Sequence, residues 1–228
     1  MARLPRLCIA GWPHLVVQRG LDRRVVFVDD HDRSLFRALL QDAARTLGVQ
    51  IHAYGLLDQE VRLLVTPASS DGLSKLVQAI GRRYVARFNR RHGRGGSLWE
   101  GRFRATVVEP EQHLLHCMLF AEGCEAGAPR AAIDEEGTSA PHHLGAKSDP
   151  LISDPAQYWA LGNTPFDREI AYRKLYEQAL TEKQTADISR ALNSGWPLGT
   201  DQFRHTLEDA TTRRLSPLPR GRPRKTTS

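Results

Sequence analysis

The chain has 228 residues, 40% of them apolar and 25% charged, with a net charge of +6. That is enough apolar surface for one packed domain of ordinary size plus a small appendage, and it excludes a wholly disordered protein. No apolar run approaches the roughly 18–20 residues of a membrane span, the first residues lack the apolar stretch of a secretory signal, and three cysteines (Cys8, Cys117, Cys124) cannot build a disulfide framework, so a reducing cytoplasm is the expected compartment.

Residues 7–18 read as a broken first strand. Asp32 is placed to cap a helix whose apolar residues, Leu35, Phe36, Leu39, Leu40, Ala43, Ala44 and Leu47, recur at 3-4 spacing, with Gly48 as its stop. Val49–Leu57 and Val61–Thr66 read as a strand pair turned at Asp58-Gln59. Asp71 opens a second helix with Leu73, Leu76, Val77, Ile80, Tyr84, Val85 and Phe88 on one face. Residues 101–108 read as a fourth strand and 110–122 as a third helix. The order β-α-β-β-α-β followed by a helix predicts an α+β, ferredoxin-like domain: a four-stranded antiparallel sheet with two helices on one face. This domain is expected over 1–122, followed by a loop or linker over 123–150. A small helical extension is expected over 151–212 (helices at 154–160, 165–181, 184–194 and 200–211), and a disordered basic tail over 213–228.

Charge is clustered along this order. Residues 82–104 sum to +7, residues 109–149 to −6, and residues 213–228 to +6 with no acid. Arginine supplies 27 of the 32 basic residues, and its planar fork suits phosphates and stacked bases. The candidate DNA-binding residues are therefore Arg19, Arg82, Arg83, Arg87, Arg90, Arg91, Arg94, Arg102 and Arg104. Strand alternation puts Arg102 and Arg104 on one face, whereas the helical spacing of Tyr84 and Phe88 fits the core better than base stacking. In the tail, Arg220, Gly221, Arg222, Arg224 and Lys225 follow Pro219 in an AT-hook-like run, whose glycine lets the backbone lie deep in an A·T minor groove. His113, His116, Cys117 and Cys124 match no zinc spacing. His14, His52 and Glu60 are scattered, and His142-His143 falls in the predicted loop and reads as solvated.

The segments VVQRG (16–20), HAYGLL (52–57), RLLVTP (62–67), GLSKLVQAIGRRYVARFNRRHG (72–93) and SLWEGRFRA (97–105) together resemble the single-tyrosine HUH transposases of the insertion-sequence-200-like group, most closely the REP-associated tyrosine transposases. DPLISDPAQYWALGNTPF (149–166) and SGWPLG (194–199) resemble the helical extension some of them carry. The resemblance implies a ferredoxin-like catalytic domain, a His-hydrophobe-His pair holding a divalent cation, and a helical tyrosine that attacks single-stranded DNA beside a hairpin to form a phosphotyrosine.

Against that pattern the chain reads Gln59-Glu60-Val61-Arg62 at the metal motif and Phe120 at the tyrosine. A guanidinium offers no lone pair to a cation, and phenylalanine has no hydroxyl. The expectation is a DNA-binding protein unable to cleave, with Glu60, Arg62 and Phe120 as vestigial positions, no metal residue and no cofactor; Mg²⁺ or Mn²⁺ is expected only if activity is retained. The alternatives are an active metal-dependent single-strand DNA transposase or nuclease with relocated ligands, and a non-catalytic interaction subunit. Expected partners are DNA, as a single-stranded hairpin or an A·T-rich duplex, with a homodimer left open, no membrane, and a nucleoid-associated place in the cytoplasm.

Overall fold

In the computed structural model, residues 7–125, 137–211 and 215 are described. Four strands and three helices make the first part: β1 (His14–Arg19), α1 (Asp30–Leu47), β2 (Val49–Leu57), β3 (Glu60–Pro67), α2 (Gly72–Arg91), β4 (Arg104–Val107) and α3 (Pro110–Ala121). The strands form one antiparallel sheet in the order β2-β3-β1-β4, the ferredoxin-like arrangement that the chain order predicts.

In this first part three starts depart most from the sequence reading. The cap of α1 is Asp29, whose carboxylate accepts the Asp32 amide. Asp32 lies in the first turn, fully buried, and takes the Val28 amide, Arg91 and His92. β1 starts only at His14, because Leu7 and Ile9 leave the sheet to pack with Val107, Phe203, Leu207 and Leu215. β4 starts only at Arg104, because Gly101 turns the chain at φ +63°.

Alternation divides the sheet cleanly. Val16, Tyr54, Leu56, Val61, Leu63 and Val65 face α1 and α2, where they meet Phe36, Leu39, Leu40, Leu76, Ile80, Tyr84 and Phe88. Leu15, Val17, Ala53 and Leu64 face the other way, against Leu114, Cys117, Met118 and Phe120 of α3. Five further helices follow: α4 (Ala140–His143), α5 (Ala156–Trp159), α6 (Pro165–Gln178), α7 (Glu182–Ser194) and α8 (Asp201–Asp209). While α8 packs with Leu7, Ile9 and Val107, α4 to α7 complete that second layer. Their Tyr158, Tyr172, Tyr176, Ile188 and Leu192 belong to the same apolar cluster as the sheet residues. Both α6 and α7 begin with a reciprocal cap, Thr164 with Asp167 and Thr181 with Gln184.

The stretch read as a linker is packed where it is described. Gly137 O accepts the Leu56 amide at 2.7 Å and Ile51 O accepts the Ser153 amide at 2.8 Å, so residues 137–153 run along the outer edge of β2. Leu198 bridges Val108 just beyond β4. No helix among the described residues is long and apolar enough to cross a membrane.

Candidate active site

The register of β1 with β3 and β4 sets Arg62 and Arg104 on either side of Val17, and Arg19 opposite Glu60. Val17 faces α3, so all four side chains project on the α3 side. Arg62 is buried there. Its Nε donates to Glu60 at 2.6 Å, its Nη1 to the Phe120 carbonyl at 2.7 Å and to Glu125 at 2.8 Å, and its guanidinium lies 4.2 Å from the centre of the Phe120 ring. Glu60 also receives Arg19 at 2.8 Å. Burial raises the Glu60 carboxyl, but Arg62 and Arg19 outweigh it and hold the group below the usual carboxylate range. A divalent cation does not fit here, because a guanidinium stands where a ligand would be.

In front of these residues opens a cleft of about 650 Å³, lined by Arg19, Asp22, Arg23, Gln59, Glu60, Arg62, Glu100 and Arg104. At its lip Asp22 and Arg23 both adopt left-handed backbone, φ 52° and 56°, a strained pairing for non-glycine residues that concentrates at binding sites.

The other predicted arginines divide. Arg82, Arg87, Arg90 and Arg102 are exposed and bind no other described residue. Arg83 pairs with Asp42 at 2.6 Å, and Arg91 with Asp29 at 2.6 Å and Asp32 at 2.7 Å; the Arg91 hydrogen bond chiefly holds the Asp29 carboxyl far below its ordinary value. Arg94 lies over the Phe88 ring, and Arg104 reaches Asn193. Arg102 and Arg104 do not share a face. With the strand beginning only at Arg104, Arg102 lines a separate hollow beside Gln18 and Lys75 on the α2 side. Arg220, Gly221, Arg222, Arg224 and Lys225 lie outside the described residues.

Of the scattered histidines, His14 is tied to Trp12 and Ile9, and His52 donates to Ser153 O and accepts Thr66 Oγ1. Neither joins Glu60. Cys117 and Cys124 are buried in the core, and burial pushes the Cys117 thiol well up.

A group that sequence reasoning missed lies at the C-terminal end of α3. His142, His143 and Asp154 bring one ligand atom each to within 4.8 Å of one another. His142 Nε2 is 3.2 Å and His143 Nε2 is 3.7 Å from Asp154 Oδ1. His143 is fully buried; its Nδ1 donates to Glu122 at 2.6 Å, and its Nε2 has no hydrogen-bond partner. Glu122, also buried, is fixed by Ser139 Oγ and Tyr172 Oη, each at 2.7 Å. Tyr158 donates to His143 O at 2.9 Å. Burial raises the Asp154 carboxyl, but the His142 hydrogen bond and the neighbouring imidazoles and Arg168 bring it below the ordinary range.

Two expectations are corrected by this group. His142-His143 is not a solvated loop pair: Pro141 sits in the first turn of α4, the bridge from Thr138 to Gly55 ties the chain before that turn to β2, and His143 is buried on Glu122. The inference that the chain cannot cleave because its metal motif and tyrosine are replaced fails with it. The convergence of His142, His143 and Asp154 leaves the molecule a metal-capable set despite the loss of ligands at 60 and 62; Arg62 on Phe120 O and His143 on Glu122 meet the same end of α3. The signal was a histidine doublet eleven residues before an aspartate, a spacing that matches no ligand pattern.

A family model described as transposase IS200-like matches residues 12–116. Among solved structures, a REP-associated tyrosine transposase bound to a REP hairpin is similar at 15% identity and a TM-score of 0.52, over 68% of this chain and 92% of that one. A candidate transposase from Deinococcus radiodurans is similar at 23% identity and a TM-score of 0.37, over 50% of this chain and 86% of that one. No curated protein matches.

Proposed function

The chain belongs, through residues 12–116, to the IS200-like transposase family, and from that premise we propose that it is a metal-dependent enzyme cutting single-stranded DNA, with its ligands relocated from the central strand to the segment after α3. The observation that carries this reading is the convergence of His142, His143 and Asp154 beside Glu122, two residues beyond Phe120, whose carbonyl takes Arg62 of the arginine-lined cleft. Arg19, Arg23, Arg62 and Arg104 line that cleft; Arg19, Arg23 and Arg104 would hold backbone phosphates through their remaining N–H donors. The relative solved with a REP hairpin suggests the substrate, a DNA hairpin with an unpaired flank. Arg82, Arg87 and Arg90 on the opposite face, with the basic tail, would add sequence-independent attraction to more distant phosphates.

When bound, a divalent ion would supply Lewis-acid polarisation of the scissile phosphate. The chain's own residues do the rest. Arg62, locked by Glu60, Glu125 and the Phe120 carbonyl, keeps a fixed positive charge at the cleft floor. Phe120 offers no nucleophile. The two tyrosines whose rings pack on His143 are buried with their hydroxyls engaged, Tyr158 with His143 O and Tyr172 with Glu122, which favours water as the attacking group.

The test is a labelled hairpin with a single-stranded flank, incubated with the full chain and Mn²⁺, Mg²⁺ or Zn²⁺ and resolved on a denaturing gel. Ion-dependent cutting in the flank is expected, with a loss of at least about 100-fold in His143→Ala. Binding of the hairpin without cutting in any of these ions would overturn the reading.

A further inference from the structure

We propose that His142, His143 and Asp154 form a site selective for a nitrogen-preferring transition ion of the Zn²⁺ type over Mg²⁺, and that Glu122 is its positioning residue. This deepens the reading above, which uses the same three residues. Two ligands held at about 2.0–2.1 Å by a tetrahedral ion lie about 3.3 Å apart. The His142 Nε2–Asp154 and His143 Nε2–Asp154 separations of 3.2 and 3.7 Å bracket that value.

The buried nitrogen is the second line of argument. Folded proteins rarely leave a polar atom buried without a partner, yet His143 Nε2 is in that state. The cause is visible. Glu122 takes the Nδ1 proton, which fixes the tautomer with the lone pair on Nε2, turned toward Asp154. A carboxylate behind an imidazole in this way is the usual outer partner of a metal-bound histidine. Glu122 is itself held by Ser139 and Tyr172, so ring orientation does not depend on an ion.

His142 joins by a tautomer change. Its Nδ1 accepts the Asp149 amide at 3.0 Å, so its Nε2 carries the proton given to Asp154. As a ligand it carries that proton on Nδ1 and releases the amide. Two imidazoles and one carboxylate suit zinc, whereas Mg²⁺ prefers six oxygens. His142 and Asp154 remain partly exposed, at 18% and 19%, which leaves a fourth position open to solvent, as in catalytic rather than structural zinc sites.

The experiment titrates the full chain with Zn²⁺ against a chromophoric chelator, and with Co²⁺ as a spectroscopic probe. One ion per chain is expected, with a rise in Tm, and neither effect from millimolar Mg²⁺. Asp154→Asn and His142→Ala, both at partly exposed positions, are expected to abolish binding while preserving the circular dichroism spectrum. Glu122→Gln is expected to weaken it 10–100-fold without changing stoichiometry. Absence of saturable Zn²⁺ and Co²⁺ binding, or binding that survives Asp154→Asn and His142→Ala, overturns the proposal. A chain that binds zinc and cuts no DNA overturns only the activity; one that cuts with Mg²⁺ and binds no zinc overturns only the site.

Discussion

His14 lies fully buried on β1, donating from Nδ1 to the Trp12 carbonyl and receiving the Ile9 amide at Nε2. Burial outweighs the Trp12 hydrogen bond and pushes its pKa down to about 4. The unfolded chain takes up this proton near pH 6.5, the folded chain only near pH 4. Between those values the unfolded state holds more protons, so stability rises with pH. Acidification across that window is expected to remove about 3 kcal/mol, measured by urea unfolding at fixed temperature; His52, also lowered mainly by burial, acts in the same direction. His14→Asn, which keeps a donor for Trp12, is expected to flatten the slope, and an unchanged slope would assign it to other groups. Arg62 makes the opposite kind of contribution. Arg62→Met removes the cation between Glu60 and Glu125 and is expected to cost about 3 kcal/mol. Adding Glu60→Gln and Glu125→Gln is expected to recover most of it, since the loss comes from stranded carboxylates rather than from packing.

The elements meet most tightly where β2 passes under the end of α3. A methyl group on Gly55 would stand 2.1 Å from the Ala121 carbonyl, and Glu122 follows directly. Gly55→Ala is therefore expected to destabilise by about 3 kcal/mol and to lift Glu122 away from His143; loss of zinc affinity larger than in Glu122→Gln would be its signature in the chelator titration. The helices and strands that build this contact were legible in the sequence. The 3-4 spacing of α1 and α2 and the alternation of β2 and β3 encode both period and buried face, and the order of elements encodes the sheet. Tyr84 and Phe88 were legible as core for the same reason. Element starts were less so: Asp29 and Asp32 are both chemically able to cap α1 and Arg91 takes both, so the Val28 amide and His92 on Asp32 decide between them. The three-residue group was illegible because adjacent histidines do not share a face in any regular element, and what aims them is Glu122, a residue whose role depends on the fold. Loss of the usual motif was plain in the chain, whereas the compensating group was a product of packing.

At the scale of the molecule, the helices after residue 137 complete a core rather than decorate one. A chain ending at residue 123 would lose Tyr158, Tyr172, Tyr176, Ile188 and Leu192 from the cluster shared with the sheet. At roughly 1.5–3 kcal/mol per buried side chain, that matches the 5–15 kcal/mol of net stability typical of whole proteins. The truncated chain is expected to lose its near-ultraviolet circular dichroism and to bind a hydrophobic dye, and a cooperative unfolding transition in it would show the extension to be dispensable. The same arrangement has a temporal consequence. The outer edge of β2 is closed by Gly137–Thr138 and Ile152–Ser153, which leave the ribosome about 80 to 100 residues after their partners in β2; at roughly 5–20 residues per second, that is an interval of about 4–20 s. During it the nascent sheet presents an unpaired strand to its neighbours on the same polysome. The yield of soluble protein should then follow the spacing of ribosomes along the message, and so the initiation rate, more closely than the stability of the finished fold.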